Sequence, residues 1–148
     1  MEKPDEIYER KVMYYETDRM RIVHHSNYIR WFEEARLYYM EKRGLPYEKM
    51  EENGVMIPVL SVDCRYHVPV KFGQTVLILC RITLFTGTKL GVEYEVRDKE
   101  SGTLHVTGHS EHCFVDAEHF RPLSLTRKHP EMAEIFITNN TEQTKGSC

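Results

Sequence analysis

The 148-residue chain has 29% charged and 41% hydrophobic residues and a formal net charge of -3, a balance that suits one globular domain and argues against a nucleic-acid or acidic-membrane partner. Its basic residues are scattered, no apolar run approaches the ~20 residues of a membrane span, and the opening MEKPDEIYER lacks the hydrophobic core of a secretion signal. A cytoplasmic protein is expected, with reduced thiols, because Cys64, Cys80, Cys113 and Cys148 lie far apart without CxxC pairing.

Ile7 to Glu16 reads as a first strand with Tyr8, Val12 and Tyr14 on one face. The loop 19–26 then leads to a helix over 27–43, opened by Ser26 as an amide acceptor and closed by Gly44. At about 100° per residue, Tyr28, Ile29, Trp31, Phe32, Ala35, Tyr38, Tyr39 and Met40 fill roughly 200° of that helix. Only a narrow strip with Arg30, Glu33, Glu34, Leu37 and Glu41 remains for water or a polar partner. So wide an apolar arc demands a sheet wrapped around the helix.

A short second helix follows at LPYEKMEENG, with Pro46 in its first turn and Gly54 at its exit. Four strands come next, 59–68, 75–85, 90–98 and 104–115, rich in β-branched and aromatic residues and separated by turn signals. The last separator, Lys99-Glu100-Ser101-Gly102, is short enough to predict an antiparallel hairpin. Helical turns over 128–136 close a single domain at 1–137, and the polar residues 138–148 are expected to be a disordered tail. The order of elements predicts an α+β fold, a mostly antiparallel five-stranded sheet around one long helix.

Asp18 is the leading chemical candidate. It follows an apolar strand and precedes His25, near the start of the long helix, by seven residues. Helix N-termini present unpaired amides and partial positive charge, which favour a developing oxyanion. The alternative is a solvated loop carboxylate or a helix cap. Neighbouring His24 and His25 lack an HxxxH or HxxE companion, and His105 and His109 on one strand would stand about 13 Å apart, too far to share a metal ion. Surface or interface hydrogen bonding is therefore the expectation for these histidines and for His112. Thr86-Gly87-Thr88-Lys89 can be read as a weak phosphate cradle or as a hairpin turn with a solvated lysine. No GxSxG, GxGxxG or Walker loop is present.

Tyr15-Glu16-Thr17-Asp18, Val23-His24-His25-Ser26-Asn27-Tyr28, Trp31-Phe32-Glu33 and Ala35-Arg36 together resemble the signature of hotdog-fold acyl-CoA thioesterases of the 4-hydroxybenzoyl-CoA thioesterase type. The resemblance extends over about 8–136, including the phrase CRYHVPVKFGQTV at 64–76. It implies hydrolysis of an acyl-CoA to free acid and CoA without a cofactor. Asp18 falls on the catalytic acid, acting as nucleophile or general base, and His25 on the position whose backbone amide polarises the thioester carbonyl. Asn27, Tyr28, Arg21 and Lys89 are the implied substrate and CoA contacts. Arg21 stands where the family usually has glycine, so either the loop takes another path or the charge meets an acidic substrate or a CoA phosphate. Relatives of this type assemble as homodimers or homotetramers with active sites between subunits. The alternatives are a non-catalytic acyl-CoA or acyl-carrier-protein binding module and a dehydratase acting on 3-hydroxyacyl thioesters.

Overall fold

A computed structural model describes residues 3–141. The chain forms β1 (Glu6–Lys11), a 3-10 turn (Tyr14–Glu16), α1 (Ser26–Lys42), α2 (Tyr47–Glu52), β2 (Val55–Met56) and β3 (Val59–Tyr66). It continues through β4 (Thr75–Phe85), β5 (Lys89–Asp98), β6 (Leu104–Cys113), β7 (Val115–Asp116), α3 (Leu125–Lys128), α4 (Pro130–Ala133) and a last 3-10 turn (Glu134–Phe136). The antiparallel five-stranded sheet runs β1-β4-β5-β6-β3, and β2 pairs with β7 in a small second sheet.

Alternation explains the sheet's inner wall. Every second residue of β4, from Val76 through Ile78 and Cys80 to Ile82, is buried against α1. Phe32 of α1 stacks on Tyr94 of β5, with ring centroids 4.3 Å apart, and its ring occupies the space above Gly108, where an added Cβ would sit only 2.4 Å from it. Only glycine fits beneath that ring.

The first expected strand ends early. After Lys11 the chain turns into the 3-10 segment, because the Glu16 carboxylate takes the Met13 amide at 2.7 Å, and Tyr14 emerges on the surface. The long helix starts one residue before its expected position. His25, not Ser26, is the N-cap, and Ser26 Oγ bonds the His24 ring instead of a first-turn amide. At the other end Gly44 adopts φ 76°. There the Leu45 amide bonds Met40 O and the Gly44 amide bonds Glu41 O, the paired closure that a left-handed glycine makes possible.

The apolar arc of α1 is narrower than predicted. Tyr28, Trp31, Phe32, Ala35, Tyr39 and Met40 are buried, but Ile29 keeps 41% of its surface and neighbouring Leu37 keeps 39%. The sheet of one chain curls around only part of the helix. The closing helical turns begin at Leu125, ahead of the expected start, because Ser124 caps them by accepting the Arg127 amide. Residues 138–141 form a turn in which Asn140 donates to the Lys3 backbone and the Asp5 carboxylate. That much of the expected disordered tail is hydrogen-bonded, and 142–148 lie outside the described residues.

Candidate active site

The loop ahead of α1 is a tight return. The Asp18 amide donates to Ile22 O and the Arg21 amide to Asp18 O, while Thr17 and Val23 bridge across the base. The returning limb is gripped from its other side, where Val23 donates to Val70 O and Phe72 donates to Arg21 O. Arg21 sits at φ 60°, the left-handed region that glycine enters freely and other residues resist. The turn therefore keeps the path a glycine would give it.

Beneath this loop lies a saturated carboxylate. Glu16 is 2% exposed and meets Arg10 through two parallel bonds of 2.9 Å. It also accepts the Met13 amide at 2.7 Å and the Trp31 indole N–H at 2.8 Å. Burial works against the Arg10 charge, but Glu34 and Glu16 outweigh it and raise its pKa above the usual guanidinium range. Asn27 completes the clamp: its side-chain amide donates to the Glu16 and His24 carbonyls, at 3.0 and 3.3 Å. The chain before the loop is thereby tied to the first turn of α1.

Asp18 has a different environment. One carboxylate oxygen accepts the Met20 amide at 2.8 Å, and the side chain lines an open groove with Tyr14, Thr17, Arg19, Arg21 and Phe72. On the returning limb, the His25 amide at the head of α1 has no acceptor among the described residues. The His25 ring is exposed, stacked against His24 with centroids 4.2 Å apart and edge-on to Tyr66 at 6.3 Å. A carboxylate with spare acceptor capacity can act as a base or nucleophile, and an unpaired helix-start N–H can donate to a developing oxyanion.

The expected contacts divide into two groups. Arg21 shares the groove with Asp18. Asn27 is buried with its nitrogen engaged, and the buried Tyr28 hydroxyl accepts the Val70 amide at 3.3 Å, so both set the geometry of the helix start from below. Lys89 lies on the β4–β5 hairpin and does not line the groove. There the amides of Thr88 and Lys89 both turn to Thr86 Oγ1 and the Gly87 carbonyl takes the Leu125 amide, leaving the lysine ammonium exposed but no cradle of free amides.

Sequence reasoning missed Glu16, Arg10 and Tyr66. Glu16 lies inside the motif yet cannot be told from Asp18 by spacing, and Arg10 and Tyr66 reach the site only through the fold. His105 and His112 are buried and not on the surface as expected. His105 takes the Val68 carbonyl at 2.8 Å, and His112 meets Ser110 at 2.8 Å. Among the described residues no cluster of three or more His, Cys, Asp or Glu could hold a metal ion.

The profile of the thioesterase-like superfamily matches residues 12–136. The chain belongs to that superfamily. YneP of Bacillus subtilis (strain 168), provisionally named an acyl-CoA thioesterase, is 33% identical over 121 residues, covering 82% of this chain and 87% of its own. The crystal structure of a DHNA-CoA thioesterase from Staphylococcus aureus superposes with a TM-score of 0.83 at 32% identity, over 88% of this chain and 87% of that one. A hypothetical protein from Aquifex aeolicus gives 0.78 at 30% identity, over 86% and 98%. The five-stranded antiparallel sheet around α1 is the hotdog fold of this superfamily, and the chain stands among the thioester hydrolases.

Proposed function

We propose that the protein hydrolyses an acyl-CoA thioester to free acid and CoA, with the Asp18 carboxylate as nucleophile or general base. One observation carries this reading: Asp18 holds a single backbone amide and lines an open groove formed by the loop that leads into α1. A thioester carbonyl placed against the His25 N–H is polarised, and the charge that develops on its oxygen meets the positive end of the helix. As a base, Asp18 takes a proton from water, hydroxide adds to the carbonyl carbon, and collapse expels the CoA thiolate. As a nucleophile, its oxygen forms a mixed anhydride with loss of the thiolate, and water then cleaves the anhydride. Arg19 and Arg21 flank the groove and offer guanidinium forks to a CoA phosphate or an acidic acyl group. Lys89 is held as a more distant phosphate contact.

The working unit is proposed to be a homodimer, with a homotetramer as a further pairing. Strand β3 is an edge of the sheet. Val59, Val62 and Tyr66 pair with His112, Ser110 and Val106, whose side chains face α1, and yet they keep 51, 37 and 52% of their surface. An apolar edge of that length invites pairing with a second copy. A cytoplasmic setting suits the free thiols of Cys64, Cys80 and Cys113.

The test is thiol release from a panel of aliphatic and aromatic acyl-CoAs, run beside calorimetry with a non-hydrolysable thioether analogue. Turnover supports the enzyme. Tight binding with no release of thiol from any substrate would replace it with a binding module.

A further inference from the structure

A cavity of about 310 Å³ lies between α1, from Ile29 to Met40, and the sheet, with Ile82, Val92 and Phe136 on its far walls. That volume is at the small end of ligand pockets, which run about 300–1,000 Å³, and suits a small acyl group. The cavity begins four residues beyond His25, about 6 Å along the helix axis at 1.5 Å per residue. Three ionisable side chains, Glu33, Arg36 and His112, interrupt its wall beside the phenols of Tyr39 and Tyr47.

His112 has no capacity to spare. Nε2 meets Ser110 at 2.8 Å, and a further hydrogen bond goes to the Pro58 backbone. Burial, with Arg36 and His109 nearby, pushes its pKa down to about 3, so the ring is neutral. Arg36 can only donate, and it donates to the Tyr94 hydroxyl at 3.0 Å. The proton order is fixed from the far end: the Pro58 backbone can only accept, so the neutral His112 donates to it and accepts at Nε2 from Ser110, at 2.8 Å, which leaves Tyr94 to donate to Ser110 at 2.7 Å. The guanidinium is thus anchored at one nitrogen by a chain that cannot reverse. Among the described residues Tyr94 is its only side-chain hydrogen-bond partner, and Glu33, exposed at the cavity rim, forms no described pair with it. The other N–H groups are left for whatever enters.

We propose that this cavity is the acyl chamber and that Arg36 is a specificity-determining residue, selecting acyl groups that carry an oxygen acceptor over plain hydrocarbon of the same length. The proposal rests on the thioesterase reading for the position of the carbonyl. A substrate oxygen that bonds the guanidinium offsets the hydration it loses, whereas a hydrocarbon strips that hydration and returns nothing. Tyr94, Ser110 and His112 act as positioning residues behind Arg36.

The experiment compares kcat/KM for matched acyl-CoA pairs, octanoyl against ω-hydroxyoctanoyl and phenylpropanoyl against its para-hydroxy form, in the parent, Arg36→Met, Arg36→Lys and Tyr94→Phe. The same pairs, as non-hydrolysable thioethers, are measured by calorimetry. The parent is expected to favour the oxygenated member of at least one pair by tenfold or more, mainly through KM. Arg36→Met brings that ratio near one, Arg36→Lys retains part of it, and Tyr94→Phe, which keeps the ring stack on Phe32, lowers it less than Arg36→Met. A parent ratio near one for both pairs, or a ratio unchanged in Arg36→Met, overturns the proposal. Selective thioether binding without thiol release would reject the hydrolase reading and leave the Arg36 selection standing. If Arg36→Met does not fold, the ratios of the parent, Arg36→Lys and Tyr94→Phe decide.

Discussion

Glu16 and Asp18 are separated by one residue and share almost nothing in their surroundings. Glu16 is 2% exposed and accepts from Arg10 twice, from Met13 and from Trp31. Asp18 accepts one described hydrogen bond, from Met20, and opens onto a groove. A carboxylate with every lone pair engaged in a buried network holds structure, because any reaction at it would orphan its donors. One with idle lone pairs in an open groove keeps acceptor capacity that a buried, saturated acid lacks. Glu16 and Asn27 tie the base of the loop to the first turn of α1, and Asp18 lies in the loop they hold.

The strongest way to break this contrast is to remove the lower carboxylate. Glu16→Ala leaves Arg10 partly paired, by Glu34 alone, and should cost about 3 kcal/mol in urea denaturation. A cost below about 1 kcal/mol would make Glu16 as dispensable to the fold as an open loop acid. Next in size is a pH effect on the buried network behind α1. His112 is neutral in the fold down to about pH 3, whereas an unfolded histidine takes a proton near pH 6.5. Above 6.5 both states are neutral and stability does not depend on this group. Between 6.5 and 3 the unfolded state binds the extra proton, so stability falls with acidity, with a limiting slope of about 1.4 kcal/mol per pH unit. His112→Gln should flatten that part of the denaturation profile.

Smaller effects sharpen the division between base and rim. Trp31→Phe keeps most of the ring but removes one donor to Glu16 and should cost about 1.5 to 3 kcal/mol at neutral pH. Arg21→Gly acts at the rim and should leave stability nearly unchanged. It relieves a left-handed residue and frees the unfolded chain, two terms of order 1 kcal/mol that nearly cancel, so the denaturation midpoint should hold or rise while KM for acyl-CoA increases severalfold. A variant that loses stability and keeps its KM would mean that the guanidinium braces the loop.

The fold was legible where pattern and punctuation agreed. Alternating burial marks Thr75–Phe85 at both ends, and Gly44, Gly54 and Gly102 stand at the turns where glycine was expected. The first strand misled because the carboxylate that bends the chain after Lys11 comes from Glu16, whose burial depends on Arg10 and Trp31. Ile29 and Leu37 misled in a similar way, since a wheel counts apolar residues without knowing what covers them. Asp18 and His25 could be proposed from order along the chain. The division of labour between Glu16 and Asp18 could not, because both are acids in one short motif, and burial alone separates them. Arg36, Tyr94, Ser110 and His112 come from three elements and meet only through the register of β5 with β6.

The most direct test measures thiol release and the urea midpoint together for Asp18→Asn and Glu16→Gln. Asp18→Asn should lose about 10² to 10⁴ in kcat/KM with an unchanged midpoint, and Glu16→Gln should lower the midpoint while the folded fraction retains most of its turnover. If Asp18→Asn turns over every substrate at the parental rate, the carboxylate in the groove is not the reacting group.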